Sequence, residues 1–347
     1  MPFTAQELEN IANTTLDFHM KGKVHSNTIQ DKPLLRKLMA QKKTFPGGKE
    51  FITERVKGTY STGIEGFSHD DEVSYGNPAN VKQAQYPWRE IHAGISFTMT
   101  ELKIGGITVV DSMTGKNTAQ KTEAEKIQLA NLLDDKMEDM SEGSSRGLNL
   151  MLWRDGTQDT KLVPGIRYFI RDDPTLAVVI GGIDQGANTW WRNRASLAID
   201  TSTASNNNLI NELQKEFRQL RRYGGRPDCF LAGSDFMDAM EKEMRAKGTY
   251  TDRGWKDTGG RLDPSMDDLA FKGVMIEYDP TLDDEGLSKY GYTWDSRHIR
   301  RRPMDGEDGK QHNPARPENK YVVYRAVTWT MGLTARQRNS AGVYSIA

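Results

Sequence analysis

Residues 206–244 set an amphipathic helix, a double-glycine stop, a short apolar strand and a second amphipathic helix in direct succession. Leu209, Ile210, Leu213, Phe217 and Leu220 recur at helical spacing on one face. Asn211, Glu212, Lys215, Glu216, Arg218 and Gln219 cover the other, so this helix must lay one stripe on a core. Gly224 and Gly225 end it, because a left-handed residue after a helix is least strained without a Cβ. Arg226-Pro227-Asp228 then turns the chain into the apolar run Cys229-Phe230-Leu231-Ala232. Ser234 is placed to cap a second helix bearing Phe236, Met237, Met240 and Met244. Such a unit builds shape, and no catalytic residue is set into it.

A chain of 347 residues is long for one core, so two lobes, or one lobe with large extensions, are expected. Only 36% of the residues are hydrophobic, 32 are glycine, and the mean hydropathy is -0.71. That is too little apolar side chain for compactness throughout and too much for disorder. Much of the chain should therefore be extended and wrapped around something else. The 47 Lys and Arg nearly cancel the 48 Asp and Glu, which removes any global field for holding nucleic acid or an anionic membrane. Dense charge of both signs favours association through local ion pairs. An assembling subunit and an ordinary soluble enzyme fit this composition equally. The single cysteine, Cys229, falls in an apolar strand pattern, as a buried, reduced thiol would. The first residues have no basic and apolar leader pattern and no apolar run approaches a membrane span, so a soluble protein made in a reducing cytoplasm is expected.

Residues 1–47 hold two short amphipathic stretches, around Leu8, Ile11, Ala12 and Leu16 and again from Leu34 to Met39, and end at Pro46-Gly47-Gly48, as an arm would. Phe51 to Tyr60 and Ile91 to Met99 read as two long strands. The polar loop between them contains Gly58, Gly63, Gly66, Gly76 and the acidic run Asp70-Asp71-Glu72. A projecting two-stranded ribbon exposes its edges and is marginal alone, so docking on a neighbour is a physical need. Asn117 to about Glu142 is the longest helical pattern, with a seam of Ile127, Ala130, Leu133, Met137 and Met140. Val163 to Asp200 reads as strand and loop, including Trp190-Trp191. Lys247 to Pro317 reads as polar loop with one strand at Gly273 to Tyr278, and Tyr321 to Leu333 reads as a long strand covered on both faces.

The motifs of common chemistry are missing. Thr114-Gly115-Lys116-Asn117 lacks the earlier glycine and the hydroxyl of a phosphate loop, and Gly181-Gly182-Ile183-Asp184-Gln185-Gly186 has the wrong spacing for a dinucleotide site and reads as a turn. Gly143-Ser144-Ser145-Arg146-Gly147 has the letters of Gly-x-Ser-x-Gly but follows a helical pattern and not the strand that a nucleophile elbow needs, and there is no Ser-x-x-Lys. His19, His25, His69, His92, His298 and His312 never take metal-ligand spacing, and His69-Asp70-Asp71-Glu72 lacks the spaced oxygens of a calcium loop. Arg297 to Arg302 reads as an ion-paired surface opposite Asp279, Asp283, Asp284 and Glu285 more readily than as a nucleic-acid contact.

Taken in order, an arm, a ribbon, a long charged helix, a mixed lobe and a terminal long strand resemble the major capsid proteins of tailed bacteriophages with the HK97 fold. The resemblance rests on Asn208 to Met244, centred on Gly224-Gly225-Arg226-Pro227-Asp228-Cys229-Phe230-Leu231-Ala232-Gly233, and on Leu152-Trp153-Arg154-Asp155-Gly156 followed by Pro164-Gly165-Ile166. It implies an α+β chain with an N-terminal arm over 1–47, an extended β-hairpin E-loop over 48–105, and a peripheral domain with a spine helix over 106–153. A mixed axial domain over 154–319 and a C-terminal strand over 320–347, returning to the peripheral domain, complete it. It further implies hexamers and pentamers closing into an icosahedral shell around double-stranded DNA held by non-specific contact. Such a protein resides in the virion, is assembled in the bacterial host's cytoplasm, and works with a portal and an optional decoration protein, without enzyme activity, cofactor, metal or membrane. The short arm, lacking a coiled coil, sets the expectation of a separate scaffolding protein. No residue matches a covalent crosslinking site. Candidate contacts between copies are Asp70, Asp71 and Glu72 with Arg300, Arg301 and Arg302.

Two other readings stand beside this one. A cellular compartment shell of the same fold would enclose cargo enzymes in place of DNA, and the nucleic-acid content of particles separates the two. A monomeric carbohydrate- or metal-dependent enzyme would use the acidic loop with Trp190, Trp191 and Trp255, and one sizing experiment tests it.

Overall fold

The computed structural model describes residues 3–4, 30–60, 62–73, 75, 80–98, 100, 109–110, 123–246, 269–312 and 322–347. The stretch around Leu8 to Leu16, the start of the helix at Asn117, and Trp255 lie outside the described residues. The chain divides into two units, one formed by Met1–Gln30, Glu90–Leu148 and Met304–Thr330, the other by Asp31–Arg89, Asn149–Pro303 and Met331–Ala347.

In the first unit Phe3–Thr4 pairs in parallel with Val109–Val110. A three-stranded sheet sets Val322–Ala335 between Ile299–His312 and Arg89–Thr98. Helix Glu123–Trp153 runs past Gly143 and Gly147, beyond the end at about Glu142 that the sequence predicts, with residues to Leu148 in the first unit and the rest in the second. Each glycine costs a helix about 1 kcal/mol. Burial of Leu148, Met151, Leu152 and Trp153 beyond them recovers more, at roughly 1.5–3 kcal/mol per large apolar side chain.

The second unit is built on a six-stranded sheet ordered Leu269–Phe271, Val274–Tyr278, Cys229–Ala232, Tyr290–Trp294, Gly342–Ile346, Arg194–Ile199. Cys229–Ala232 is buried at all four positions, parallel to Val274–Tyr278 and antiparallel to Tyr290–Trp294. This explains its unbroken apolar run, since a strand covered on both faces has no polar side to show. Helix Asn208–Arg221 lays Leu209, Ile210, Leu213, Phe217 and Leu220 onto Phe230, Phe271, Ile276 and Tyr344, with Phe217 and Phe271 edge to face at 5.1 Å. Helix Ser234–Ala246 adds Phe236 and Met240 to the same core. Between them Gly224 takes φ +83, and a Cβ on Gly225 would fall 2.6 Å from the Leu220 carbonyl oxygen, so the double glycine is required both for its turn and for a close approach.

The helix caps come from elsewhere than expected. Asn207 sits left-handed and its side chain does not cap the first helix. Instead the buried Glu243 carboxylate accepts the Leu209 and Ile210 N–H groups at 3.0 and 2.9 Å. A carboxylate at a helix N-terminus satisfies orphan donors and meets the positive end of the dipole. Likewise the Ser234 N–H donates to Asp283 Oδ1 at 3.0 Å, a carboxylate 49 residues away. Glu243→Ala is expected to lower unfolding free energy by about 2 kcal/mol, the cost of stranding two buried N–H groups, as read by urea denaturation.

Three strands lie in the region read as loop: Leu269–Phe271, Tyr290–Trp294 and Ile299–His312. Pro303, Gly306 and Gly309 disguise the last, while Ile299, Arg301 and Pro303 form its buried side. In the 163–200 region, Val179–Ile180 and Ile183–Asp184 pair across Gly181 and Gly182, both at positive φ, which makes this segment the turn its glycines predict.

Candidate functional site

The ribbon is a hairpin, but its partners differ from the sequence reading. Phe51–Lys57 pairs antiparallel with Val81–Pro87, in register from Phe51 opposite Pro87 to Lys57 opposite Val81, while Arg89–Thr98 joins the sheet of Val322–Ala335. The second strand escapes sequence reading because only Ala84 and Tyr86 face inward among Lys82, Gln83 and Gln85. Alternation carries the inner face of the hairpin into its own unit: Ile52, Glu54, Val56, Ala84 and Tyr86 are buried. Tyr86 donates its hydroxyl to the Ala335 carbonyl at 2.7 Å, and the Gln85 N–H donates to the Gly181 carbonyl at 3.0 Å.

The tip has the opposite character. Tyr60, Ile64, Phe67 and Tyr75 are exposed over most of their surface, Ile64 completely. Within it Asp71 turns back on Ser68: its Oδ2 accepts the Ser68 N–H at 2.8 Å and its own N–H donates to the Ser68 carbonyl at 3.1 Å. Asp71 thus holds a tight turn, and Asp70 and Glu72 flank it on the exposed surface.

The arginine run divides among three environments. Arg300 is half-buried, with Nε donating to the Ser296 carbonyl at 3.3 Å. Arg301 is fully buried, its Nε–H on Met331 Sδ at 2.9 Å and Nη1 on Met39 Sδ at 3.1 Å. Arg302 pairs with Glu54 of the hairpin, and Arg336 Nε holds the other Glu54 oxygen at 2.6 Å. Three of the acids expected opposite this run, Asp279, Asp283 and Glu285, are engaged elsewhere. Asp279 accepts from Trp153 Nε1 at 2.8 Å and from the Thr281 N–H at 3.0 Å, Asp283 takes Ser234 and the Tyr278 hydroxyl, and Glu285 pairs with Arg154 at 2.7 Å. Charge proximity along the sequence says nothing about which strand passes behind.

The N-terminal segment from 31 onward belongs to this same unit. Helix Pro33–Ala40 buries Leu34 and Leu38, and Arg36 and Lys37 grip Glu277 at 2.7 and 2.6 Å. Beyond it, the Lys43 and Phe45 N–H groups donate to the carbonyls of Arg301 and Pro303. Strand Ile299–His312 therefore carries the segment on its backbone and the hairpin through Arg302.

Among the described residues no group of three His, Cys, Asp or Glu is arranged to hold a metal ion, and no helix is long and apolar enough to cross a membrane. Burial, reinforced by the Asp228 carboxylate, pushes the Cys229 thiol far above its ordinary range. A thiol that must shed its proton in that setting is inert, so Cys229 is expected to react with a thiol reagent only as fast as the unit unfolds. A rapid reaction in native buffer would count against this burial. The imidazole of His298 is pushed down, chiefly by burial, and stays neutral near pH 7. Trp191 is buried with Nε1 on the Ile180 carbonyl at 3.1 Å, a packing anchor, while Trp190 is half-buried.

No family model matches the chain and no curated protein matches it. Solved structures do. A chain of the cyanophage A-1(L) capsid asymmetric unit matches 94% of this chain over 96% of its own length, with a TM-score of 0.64 at 13% identity. A chain of the capsid of the Myoviridae phage XM1 matches 95% over 98%, with a TM-score of 0.55 at 11% identity. One from Gordonia phage Cozz matches 94% over 89%, with a TM-score of 0.53 at 12% identity. The fold is that of phage capsid proteins. At such identities the likeness is one of backbone course, over 94% of the chain. This capsid fold is a mixed α+β arrangement, as the order of elements along the sequence predicts.

Proposed function

We propose that this chain is a structural subunit that self-assembles as hexamers and pentamers into the icosahedral head of a tailed phage and encloses double-stranded DNA. The observation that carries the reading is the near end-to-end match in fold to a chain of a cyanophage capsid asymmetric unit. In this reading 48–105 is the E-loop, Glu123–Trp153 the spine helix of a peripheral domain, 154–319 the axial domain, and 320–347 the strand returning to the periphery. The chain works without catalysis, in the virion, with a separate scaffolding protein, a portal and an optional decoration protein as partners. Its interfaces are repeated many times, each modest, and gain strength by number. Of the six charged residues expected between copies, Asp70, Glu72 and Arg300 keep that role here, while Asp71, Arg301 and Arg302 serve the subunit's own fold. The test is electron microscopy of the purified protein with its absorbance ratio at 260 and 280 nm. Closed particles, filled with DNA when made beside packaging machinery, are the expected result. A stable 39.2 kDa monomer in a sizing column overturns the proposal.

A further inference from the structure

One cleft in the second unit has a strongly basic lining. It encloses about 930 Å³ between the outer end of the hairpin, the end of helix Asn208–Arg221, and the segments 189–195 and 336–339. Its lining includes Arg55, Lys57, Arg192, Arg194, Arg222 and Arg336, and no Asp or Glu. Glu216 neutralises Arg194 at 2.7 Å, and Glu54 neutralises Arg336 at 2.6 Å. Arg192 spends its guanidinium on the carbonyls of Gln185 and Gly186, which satisfies its hydrogen bonds and leaves its charge in place. Arg55, Lys57 and Arg222 are exposed, and no carboxylate partner is seen for them among the described residues. Aromatic rings form the walls. Trp190 lies so close on the hairpin backbone that a Cβ at Gly58 would fall 2.0 Å from its Cε2, and Tyr60 and Tyr223 are exposed beside it.

We propose that this cleft receives the acidic turn of a second copy of the chain, with Asp70 and Glu72 meeting Arg55 and Arg222 and the flanking Phe67 or Tyr75 seated on the aromatic walls. The inference rests on the shell reading above and gives its loop a named receptor. Three observations favour a second copy as occupant. The turn at 68–71 is already closed by Asp71, so it docks with little ordering cost. The tip joins adjacent carboxylates to exposed apolar rings, matching in kind the cations and rings of the cleft. Finally, none of the described residues from 62 to 75 lines the cleft of its own chain, which leaves it open to another's. A space of this size suits a peptide turn, whereas duplex DNA presents its phosphates along a convex rod.

Charge exchange in the full-length chain tests this. Arg55→Glu with Arg222→Glu, and separately Asp70→Lys with Glu72→Lys, are each expected to cut particle yield roughly tenfold at low salt, while the combined four-fold variant recovers most of it. All four positions are exposed, so thermal unfolding should match the parent chain, and Lys57→Glu is a second cleft variant should the first fold poorly. Normal particles from the cleft variants, or no recovery in the four-fold variant, overturn the pairing and leave the shell reading intact. Cleft variants that form normal shells but retain less DNA make DNA the occupant and also overturn it. A parent chain that never assembles removes the shell reading itself.

Discussion

Deleting Ser61–Asn80 should leave a folded chain that forms no shells. The register explains why the fold survives: Lys57 lies opposite Val81, so the deletion closes the hairpin through Gly58, Thr59 and Tyr60, a three-residue connection of ordinary hairpin length. The described residues of the deleted segment take almost no core with them, because Ile64, Phe67 and Tyr75 are exposed in the intact chain and the base packs inward. Loss of such surface residues changes stability by roughly 0.5 kcal/mol or less per site. Assembly is another matter, since the lost segment contains the exposed apolar and acidic surface that the subunit cannot use by itself. Sedimentation and electron microscopy read the outcome, and normal particles from the deleted chain would defeat the assembly role of the loop.

Glu54→Gln should be the most damaging single conservative change in the hairpin. The carboxylate is buried and divides its oxygens between Arg302 and Arg336, joining the hairpin to the strand that also carries the N-terminal segment. Gln keeps the volume and one acceptor but leaves two guanidiniums facing each other without a counter-charge. Breaking a buried charged cluster by removing one partner costs about 3–5 kcal/mol, and the partial exposure of Arg336 puts this case near 3 kcal/mol. The loss should appear first as faster amide exchange across Phe51–Lys57 and Val81–Pro87, with Cys229–Ala232 still protected. Exchange unchanged in the hairpin would show that apolar burial of Ile52, Val56 and Tyr86 alone fixes its base.

The hairpin is one element with two jobs. Its base is part of the subunit's own fold and its tip is not, and the change falls near Gly58, where Trp190 lies on the backbone. A ribbon tied down at one end can present its tip in a fixed direction, which repeated contact between identical copies requires.

How far the sequence could be read depended on whether neighbours in the chain are also neighbours in space. Helix Asn208–Arg221, the double-glycine stop, strand Cys229–Ala232 and helix Ser234–Ala246 were legible, because a 3.6-residue stripe, a left-handed turn and a doubly buried strand each write their pattern locally. The order of elements pointed to the fold for the same reason. Everything decided by distant partners was hidden. Glu243 and Asp283 cap helices they do not begin, Val81–Pro87 displaces Ile91–Met99 as the hairpin partner, and the helix ignores Gly143 for the sake of Trp153. In the arginine run three similar side chains become a half-buried donor, a core residue among methionine sulfurs and an ion-pair anchor. Side-chain type and period set what a segment can become, but the energy of a buried charge or donor depends on what lies within a few ångströms of it, and only the folded chain brings residues 54, 302 and 336 to one place.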